Sequence, residues 1–329
     1  MWFVLYVAFG RSYQFNSELE LVMASEQALK WLELYRSVGT LEAQQTDLRV
    51  IRSIFDTLHL GASEPEGVTY AEVDAGGVPA MWCIPEGCNA DRVLLHCHGG
   101  GTLVLSMHSD RKLVGHIAKA AGVRALVLHF RRSPEHPYPA QVEDVATAYR
   151  WLLAQGIRPE NTASIGHSIG GNLCTSLVLG LRGKGAPLPA AILSVSPWYD
   201  MEMKCETMET NAKTDVHVSK EQLGRMRDAW LKGTGVTSDD PRVNLLYADL
   251  TGLPPMKIYY GDQEVLAGDA IEFAKRAKAA GVDVSLQAVP EMQHSFIFLA
   301  GRVPEVNEAI EEMGRWLRSK LGLPALAKV

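Results

Sequence analysis

The sequence has few cysteines, and none of them stand at a metal-binding or redox spacing. Its 329 residues include five cysteines, an odd number spread widely along the chain, and no CxxC motif occurs. This pattern argues against a disulfide framework and against a cysteine-ligated zinc site, and it is typical of a reducing compartment. We therefore expect a cytoplasmic protein.

The sequence also lacks a long run of basic residues. Lysine and arginine number 32 against 38 aspartates and glutamates, for a formal net charge of −6. Nucleic acids and anionic membrane surfaces require clustered positive charge, so neither is an expected partner. Hydrophobic residues make up 47% of the chain. That content supports a sizeable core and excludes a disordered protein.

No apolar stretch is long enough to span a bilayer. The run WFVLYVAF at 2–9 has eight residues, whereas a membrane helix needs about 20. It also lacks the basic residues that open a signal peptide. We interpret residues 1–22 as an N-terminal extension without an assigned role. The alternative is a segment that associates with a membrane or packs on a cap.

Strands alternate with helices from about residue 67 onward. Eight short segments have the composition of strands, and they lie at 68–73, 78–85, 92–98, 123–130, 162–166, 190–196, 255–261 and 283–289. Helical patterns follow most of them, at 109–121, 141–155, 169–182, 268–280 and 304–320. This order predicts βαβ units and a mostly parallel sheet, with ligands at the carboxyl ends of its strands. Two further helical regions, 24–58 and 205–235, are candidates for a lid.

A glycine-flanked serine lies between a predicted strand and a predicted helix. Residues 166–170 read Gly-His-Ser-Ile-Gly. The G-x-S-x-G pattern in this context predicts a nucleophile elbow, in which the glycines permit a sharp turn and Ser168 projects above the sheet. The start of the following helix offers free N–H groups to an oxyanion. The alternative is a glycine-rich turn with an ordinary serine.

A second glycine-rich loop, His98-Gly99-Gly100-Gly101, ends an earlier strand. Because glycines have no side chains, their backbone N–H groups are accessible to an oxygen atom. In a hydrolase arrangement, Gly99 and Gly100 would form an oxyanion hole together with the N–H of Ile169, which follows the serine. A flexible surface loop is the alternative for this motif alone.

A nucleophilic serine needs a base and an acid that orients the base. Only His217 and His294 follow Ser168 in the chain. His294 comes after a predicted strand and is the predicted base, whereas His217 lies in a polar insertion and is interpreted as a solvated surface residue. The acid is expected after the strand at 255–261. Asp262 and Glu264 both fit that position, and the pattern alone does not separate them.

These motifs together resemble the bacterial hormone-sensitive-lipase-like esterases, also called family IV or α/β-hydrolase fold-3. The resemblance covers about residues 65–320, and it rests on HGGG, PEHPYPAQVED, G-x-S-x-GG, G-D-x-E-V-L and a late histidine. It implies an α/β-hydrolase fold, with a mostly parallel eight-stranded sheet, helices on both faces and a helical cap. It also implies a serine carboxylesterase that acts on short-chain esters through Ser168, His294 and Glu264, with Asp262 as the fallback acid.

The resemblance implies a division of the chain into five segments. They are an extension (1–22), N-terminal cap helices (23–62), a hydrolase core (63–204 and 236–322) and a cap insertion (205–235). A small-molecule ester is the expected partner, and a homodimer is compatible with the sequence. No cofactor and no metal are expected. His96 and His98 alternate along a strand, but no third ligand at a suitable spacing accompanies them.

The sequence departs from the family pattern in the segment 130–137 and at three positions in or beside the glycine motifs. Where the family usually has Asp, Ala and Gly, this chain has His167, Ile169 and Leu105. The branched side chains of Ile169 and Leu105 are expected to crowd the pocket and to favour short acyl chains. Leu105, His167 and Trp198 are therefore the candidate substrate-binding residues, with ordinary packing as an equal alternative for Trp198. A lactone or aryl-amide hydrolase and a non-catalytic receptor of the same fold are the alternative functions, and a complete triad argues against the receptor.

Overall fold

The computed structural model of the chain describes residues 25–325. Within that range, eight strands form one sheet in the order β1-β2-β4-β3-β5-β6-β7-β8. Their bounds are Val68–Asp74 (β1), Pro79–Pro85 (β2), Asn89–Cys97 (β3), Val123–Leu128 (β4), Thr162–His167 (β5), Ala191–Val195 (β6), Met256–Gly261 (β7) and Val284–Val289 (β8). Strand β2 pairs antiparallel with β1 and β4, and every other pair is parallel. The mostly parallel eight-stranded sheet is therefore confirmed.

The described residues form nine α-helices, most of them packed on the sheet. Their bounds are Glu26–Ala43 (α1), Leu48–Asp56 (α2), Met107–Ala121 (α3), Ala140–Ala154 (α4), Ile169–Arg182 (α5), Thr207–Thr210 (α6), Lys220–Leu231 (α7), Ala267–Ala279 (α8) and Pro304–Lys320 (α9). One buried cluster joins the sheet to α3 and α9, and the other joins it to α4, α5 and α8. Within β3, Leu94 belongs to the first cluster and Val93 and Leu95 to the second. Helices thus cover both faces of the sheet, as the alternation of side chains along a strand requires.

Helix α3 begins two residues earlier than the sequence indicated. Its N-cap is Ser106, because Ser106 Oγ accepts the N–H of Ser109 while Ser109 Oγ accepts the N–H of Ser106. This reciprocal pair of bonds is a capping box. It brings Asp110 into the first turn of α3, where its side chain is fully buried.

Helices α1 and α2 precede the sheet, and α6 and α7 lie between β6 and β7. The two regions contact each other through an ion pair between Glu42 and Arg225, whose Oε1 and Nη2 atoms are 3.1 Å apart. Arg52 of α2 donates a hydrogen bond to the carbonyl of Leu103, just after the HGGG loop. The contacts agree with a cap, although its boundaries stay a prediction. The segment 1–22 falls outside the described residues.

Among residues 25–325, the helices are all too short or too polar to cross a membrane.

Candidate active site

Ser168 occupies the turn between β5 and α5. Its φ of 55° and ψ of −128° lie in a sparsely populated backbone region, which costs a residue with a Cβ roughly 1–3 kcal/mol. Two glycines make the turn sterically feasible. A Cβ on Gly166 would collide with the carbonyl of Gly170, and a Cβ on Gly170 would collide with the carbonyl of Cys97. The G-x-S-x-G spacing thus gives Ser168 its place at the carboxyl end of the sheet.

His294 and Glu264 meet in the loops that follow β8 and β7. His294 Nδ1 lies 3.1 Å from Glu264 Oε2, and both side chains are buried. Asp262, the other candidate acid, forms different contacts. Its Oδ1 accepts the N–H of Glu291 at 2.7 Å and an amide N–H of Gln263 at 2.9 Å. The geometry therefore pairs the histidine with Glu264.

Burial affects the charge of both members of this pair. It raises the pKa of Glu264 well above the ordinary value, although the Ser196 hydroxyl lowers it in part. Burial also lowers the pKa of His294, and the nearby carboxylate of Asp215 opposes that effect. An imidazolium formed on His294 would lie beside Glu264, and the negative charge of Asp215 would also stabilise it.

Ser168 and His294 line one cavity. Its wall also contains Phe55, Leu58, Gly100, Gly101, Leu105, His167, His217, Val218, Gln222, Leu223, Met226, Ser295 and Phe298. The side chain of Met226, from α7, packs directly against Gly101, where an added Cβ would collide with its sulfur. The cavity is thus mostly apolar, with a few convergent polar groups, as small-molecule sites commonly are.

The HGGG loop does not offer all of its N–H groups to this cavity. The N–H of Gly99 donates a hydrogen bond to His167 Nε2 at 3.0 Å. Because one N–H cannot serve both His167 and an oxyanion, the expectation that Gly99 is an oxyanion donor does not fit this structure. Gly100 and Gly101, by contrast, line the cavity.

Two side chains expected at the pocket lie elsewhere. Ile169 and Trp198 are fully buried in the cluster between the sheet and α5, and they are not part of the cavity wall. Trp198 Nε1 donates to the carbonyl of Asp200 at 3.0 Å. The side chain of Ile169 packs on the sheet because it opens α5, so it does not crowd the pocket. Leu105 and His167 do line the cavity, as expected.

The position of His217 differs from the sequence interpretation of a solvated residue. Its ring lines the cavity, with its centroid 6.0 Å from that of His294 and 4.7 Å from that of Tyr35. Burial lowers the pKa of His217 to about 3, so the ring is neutral at physiological pH. The polar residues around it in the sequence indicated exposure, and no local pattern showed that α1 covers it.

The insertion after β6 is hydrogen-bonded to the loops that carry Glu264 and His294. Asp215 Oδ2 accepts the N–H of Val265, which follows Glu264, at 2.9 Å. Gln293, which precedes the histidine, accepts the N–H of Val216 at 2.9 Å. These bonds fasten the insertion to both loops, so this segment helps to hold the site together.

One buried cluster has the side chains of a metal site. His96 Nε2 and His167 Nε2 lie 2.7 and 2.9 Å from Asp110 Oδ2. Ligands that share a zinc ion at about 2.0–2.1 Å lie about 3.3 Å apart. The observed separations are those of hydrogen bonds. His98, the partner of His96 in the sequence analysis, stacks instead on Phe130 at a centroid distance of 4.0 Å.

Comparisons with known proteins show the family and the fold of the chain. A family model described as alpha/beta hydrolase fold matches residues 94–298. An acetyl-hydrolase of Streptomyces hygroscopicus is 38% identical over 253 residues, which are 76% of this chain and 83% of that one. A putative acetyl-hydrolase, LipR, of Mycobacterium tuberculosis is 30% identical over 82% of this chain and 87% of its own. The crystal structure of an esterase from the bacterial hormone-sensitive lipase family, 37% identical, superposes with a TM-score of 0.88 over 92% of this chain and 100% of that one.

Proposed function

Because the chain belongs to the alpha/beta hydrolase family and to its hormone-sensitive-lipase-like branch, we propose that it hydrolyses carboxylic esters with short acyl chains. In this proposal Ser168, His294 and Glu264 form the catalytic triad. The observation that carries it is the convergence of three loops. The Ser168 turn and the His294 loop line one cavity, and Glu264 Oε2 lies 3.1 Å from His294 Nδ1. The cytoplasmic location stays a prediction.

The mechanism follows from the chemistry of these groups. Ser168 Oγ attacks the ester carbonyl, and His294 Nε2 takes the serine proton and passes it to the leaving alcohol. Glu264 orients the imidazole and stabilises its cationic form. Water then hydrolyses the acyl-enzyme, with His294 again as the base.

The oxyanion of the tetrahedral intermediate needs N–H donors near Ser168. Gly100 and Gly101 at the cavity wall, and the N–H of Ile169 at the start of α5, are the groups we assign to this role. Removal of one such donor typically costs about 3–4 kcal/mol of transition-state stabilisation. Ile169 acts here through its backbone, so its buried side chain does not conflict with the role.

The cavity supports the preference for short acyl chains. Leu105 and Met226 narrow it on the side of the HGGG loop. Extra methylenes forced into a packed space cost about 1–3 kcal/mol. Two of the relatives are named acetyl-hydrolases, which agrees with a short acyl group.

A panel of p-nitrophenyl esters from acetate to palmitate tests this function. Wild type should be most active on the short esters, and Ser168→Ala should lose at least about 1000-fold in kcat while it keeps its fold, because a triad acts as a unit. Ser176→Ala is the matched control, since Ser176 lies on α5 and bonds to Asn172 outside the cavity. A folded Ser168→Ala variant with wild-type turnover would refute the proposal.

A further inference from the structure

His167 lies at the junction of the loops that form the active site. It directly precedes Ser168, and its Nδ1 lies 2.8 Å from the hydroxyl of Ser295, which directly follows His294. On the other side of the ring, Nε2 accepts the N–H of Gly99 at 3.0 Å. One imidazole thus contacts the oxyanion loop and the base loop, and the nucleophile is its neighbour in the chain.

We propose that His167 is a positioning residue that joins the oxyanion loop to the loop of the base, with Asp110 and His96 holding it in place. The inference rests on the proposed function, because it concerns how the parts of that site are held in register. It adds His96 of β3, Asp110 of α3 and His167 of β5 to the side chains on which turnover depends.

Asp110 and His96 form the support of this junction. Burial acts to raise the pKa of Asp110, but His167 and His96 hold it well below its ordinary value, so the carboxylate is ionised. Its Oδ2 lies 2.7 Å from His96 Nε2, and its Oδ1 accepts the hydroxyl of Ser109 at 3.0 Å. His96 Nδ1 is buried and has no partner among the described residues. A neutral His96 with its single proton on Nε2, donated to Asp110, satisfies this arrangement.

The protons on His167 follow from its contacts. A neutral imidazole has one N–H and one lone pair. In the tautomer whose Nε2 lone pair accepts the N–H of Gly99, the proton lies on Nδ1 and is donated to Ser295. Asp110 Oδ2, 2.9 Å from the same Nε2, favours a proton there instead. Gly99 and Asp110 therefore compete for one nitrogen, and the ring proton determines whether Gly99 is held away from the cavity.

The consequence for catalysis concerns geometry. A misplacement of about 1 Å can reduce an enzymatic rate about 100-fold. If the ring is removed, the HGGG loop and the loop of the base lose their common contact, although Ser168 and His294 are both present. We therefore expect a fall in kcat with a small change in KM.

Substitutions at His167 test each half of the junction. In His167→Asn the side-chain amide takes the place of Nδ1 and can bond to Ser295, whereas in His167→Gln it takes the place of Nε2 and can bond to Gly99 and Asp110. His167→Ala removes both contacts. The matched controls are His116→Asn and His116→Gln, since His116 lies on α3 and bonds to Ser63 outside the cavity.

The readouts are kcat and KM for p-nitrophenyl acetate, together with Tm and the metal content of each purified protein. His167→Ala should lower kcat at least about tenfold, with KM within about threefold of wild type, the pattern of a lost transition-state interaction. His167→Asn and His167→Gln should each recover part of the loss, and the His116 controls should match wild type. If His167→Ala does not fold, the comparison of the Asn and Gln variants with wild type carries the test.

The outcomes separate this inference from the proposed function. An inactive wild type refutes the proposed function itself. An active wild type with unchanged kcat in the folded His167 variants overturns the inference alone. If kcat falls in step with Tm to the same extent in the Ala, Asn and Gln variants, with no partial recovery, then His167 has only a structural role. That result also overturns the inference. One metal ion per chain that is lost in Asp110→Asn would show a metal centre in place of the hydrogen-bonded junction.

Discussion

Replacement of Leu105 by glycine tests most directly whether the wall of the cavity limits the length of the acyl chain. Leu105 has a φ of 64°, in the left-handed region that favours glycine. Its side chain lines the cavity and lies against Gly100, with Cγ 3.0 Å from the position of a Cβ on that glycine. Leu105→Gly removes four carbon atoms from the wall beside the oxyanion loop. We expect the optimum acyl chain to become longer.

The size of the shift follows from the burial of methylenes. Each methylene that enters the widened cavity contributes about 0.8 kcal/mol, or about fourfold in kcat/KM. Octanoate has four more methylenes than butyrate. The ratio of kcat/KM for octanoate to that for butyrate should therefore rise by about fourfold if one methylene is buried, and by up to about 200-fold if all four are.

The same substitution has two opposite effects on stability. Loss of a buried leucine side chain costs about 2–5 kcal/mol, and Leu105 is only 3% exposed. Glycine relieves the left-handed strain, which is worth about 1–2 kcal/mol. The net result is a loss of between about 0 and 4 kcal/mol in the free energy of unfolding, which a denaturant titration of wild type and variant measures.

The assay compares kcat/KM along the p-nitrophenyl ester series for wild type, Leu105→Gly and Ile169→Ala. Ile169 is the matched control because it is a buried aliphatic residue beside Ser168 whose side chain is not part of the cavity wall. Its truncation should lower stability and leave the chain-length profile unchanged. An unchanged profile in Leu105→Gly would refute the reasoning, as would a wild-type optimum at laurate or longer.

Three further predictions concern the triad and its support. His294→Ala should lower kcat at least about 1000-fold with an unchanged circular dichroism spectrum, and near-normal turnover would exclude this residue as the base. Glu264→Gln should lower kcat, because a neutral amide beside Nδ1 of His294 stabilises an imidazolium less than a carboxylate does. Asp262→Asn should leave kcat unchanged, and the opposite ranking would assign the acid to Asp262. Asp215→Ala leaves the N–H of Val265 without its acceptor. It should cost about 1–3 kcal/mol of stability and reduce kcat, and denaturant titration with steady-state kinetics checks both; an unchanged kcat in the folded variant would show that this bond does not support the site.

Much of the fold could be predicted from local patterns in the sequence. The short apolar segments and the amphipathic segments between them indicate strands and helices through their periodicities of 2 and 3.6, which depend on residues close in the chain. The Ser168 turn is equally local, since its glycines lie within two residues of it. The resemblance to a family then added the cap and the preference for Glu264.

Contacts between distant residues decided the rest. Asp262 and Glu264 stand two residues apart in one loop, and only the placement of His294 separates them. His167 contacts Asp110, which is 57 residues away in the chain, and Ser295, which is 128 residues away. No local pattern therefore indicated this junction, or that the N–H of Gly99 donates to His167. Ile169 and Leu105 were both expected at the pocket, yet only Leu105 lines it. The direction of a side chain depends on how its helix or loop packs against the whole sheet, which neighbouring residues in the sequence do not determine.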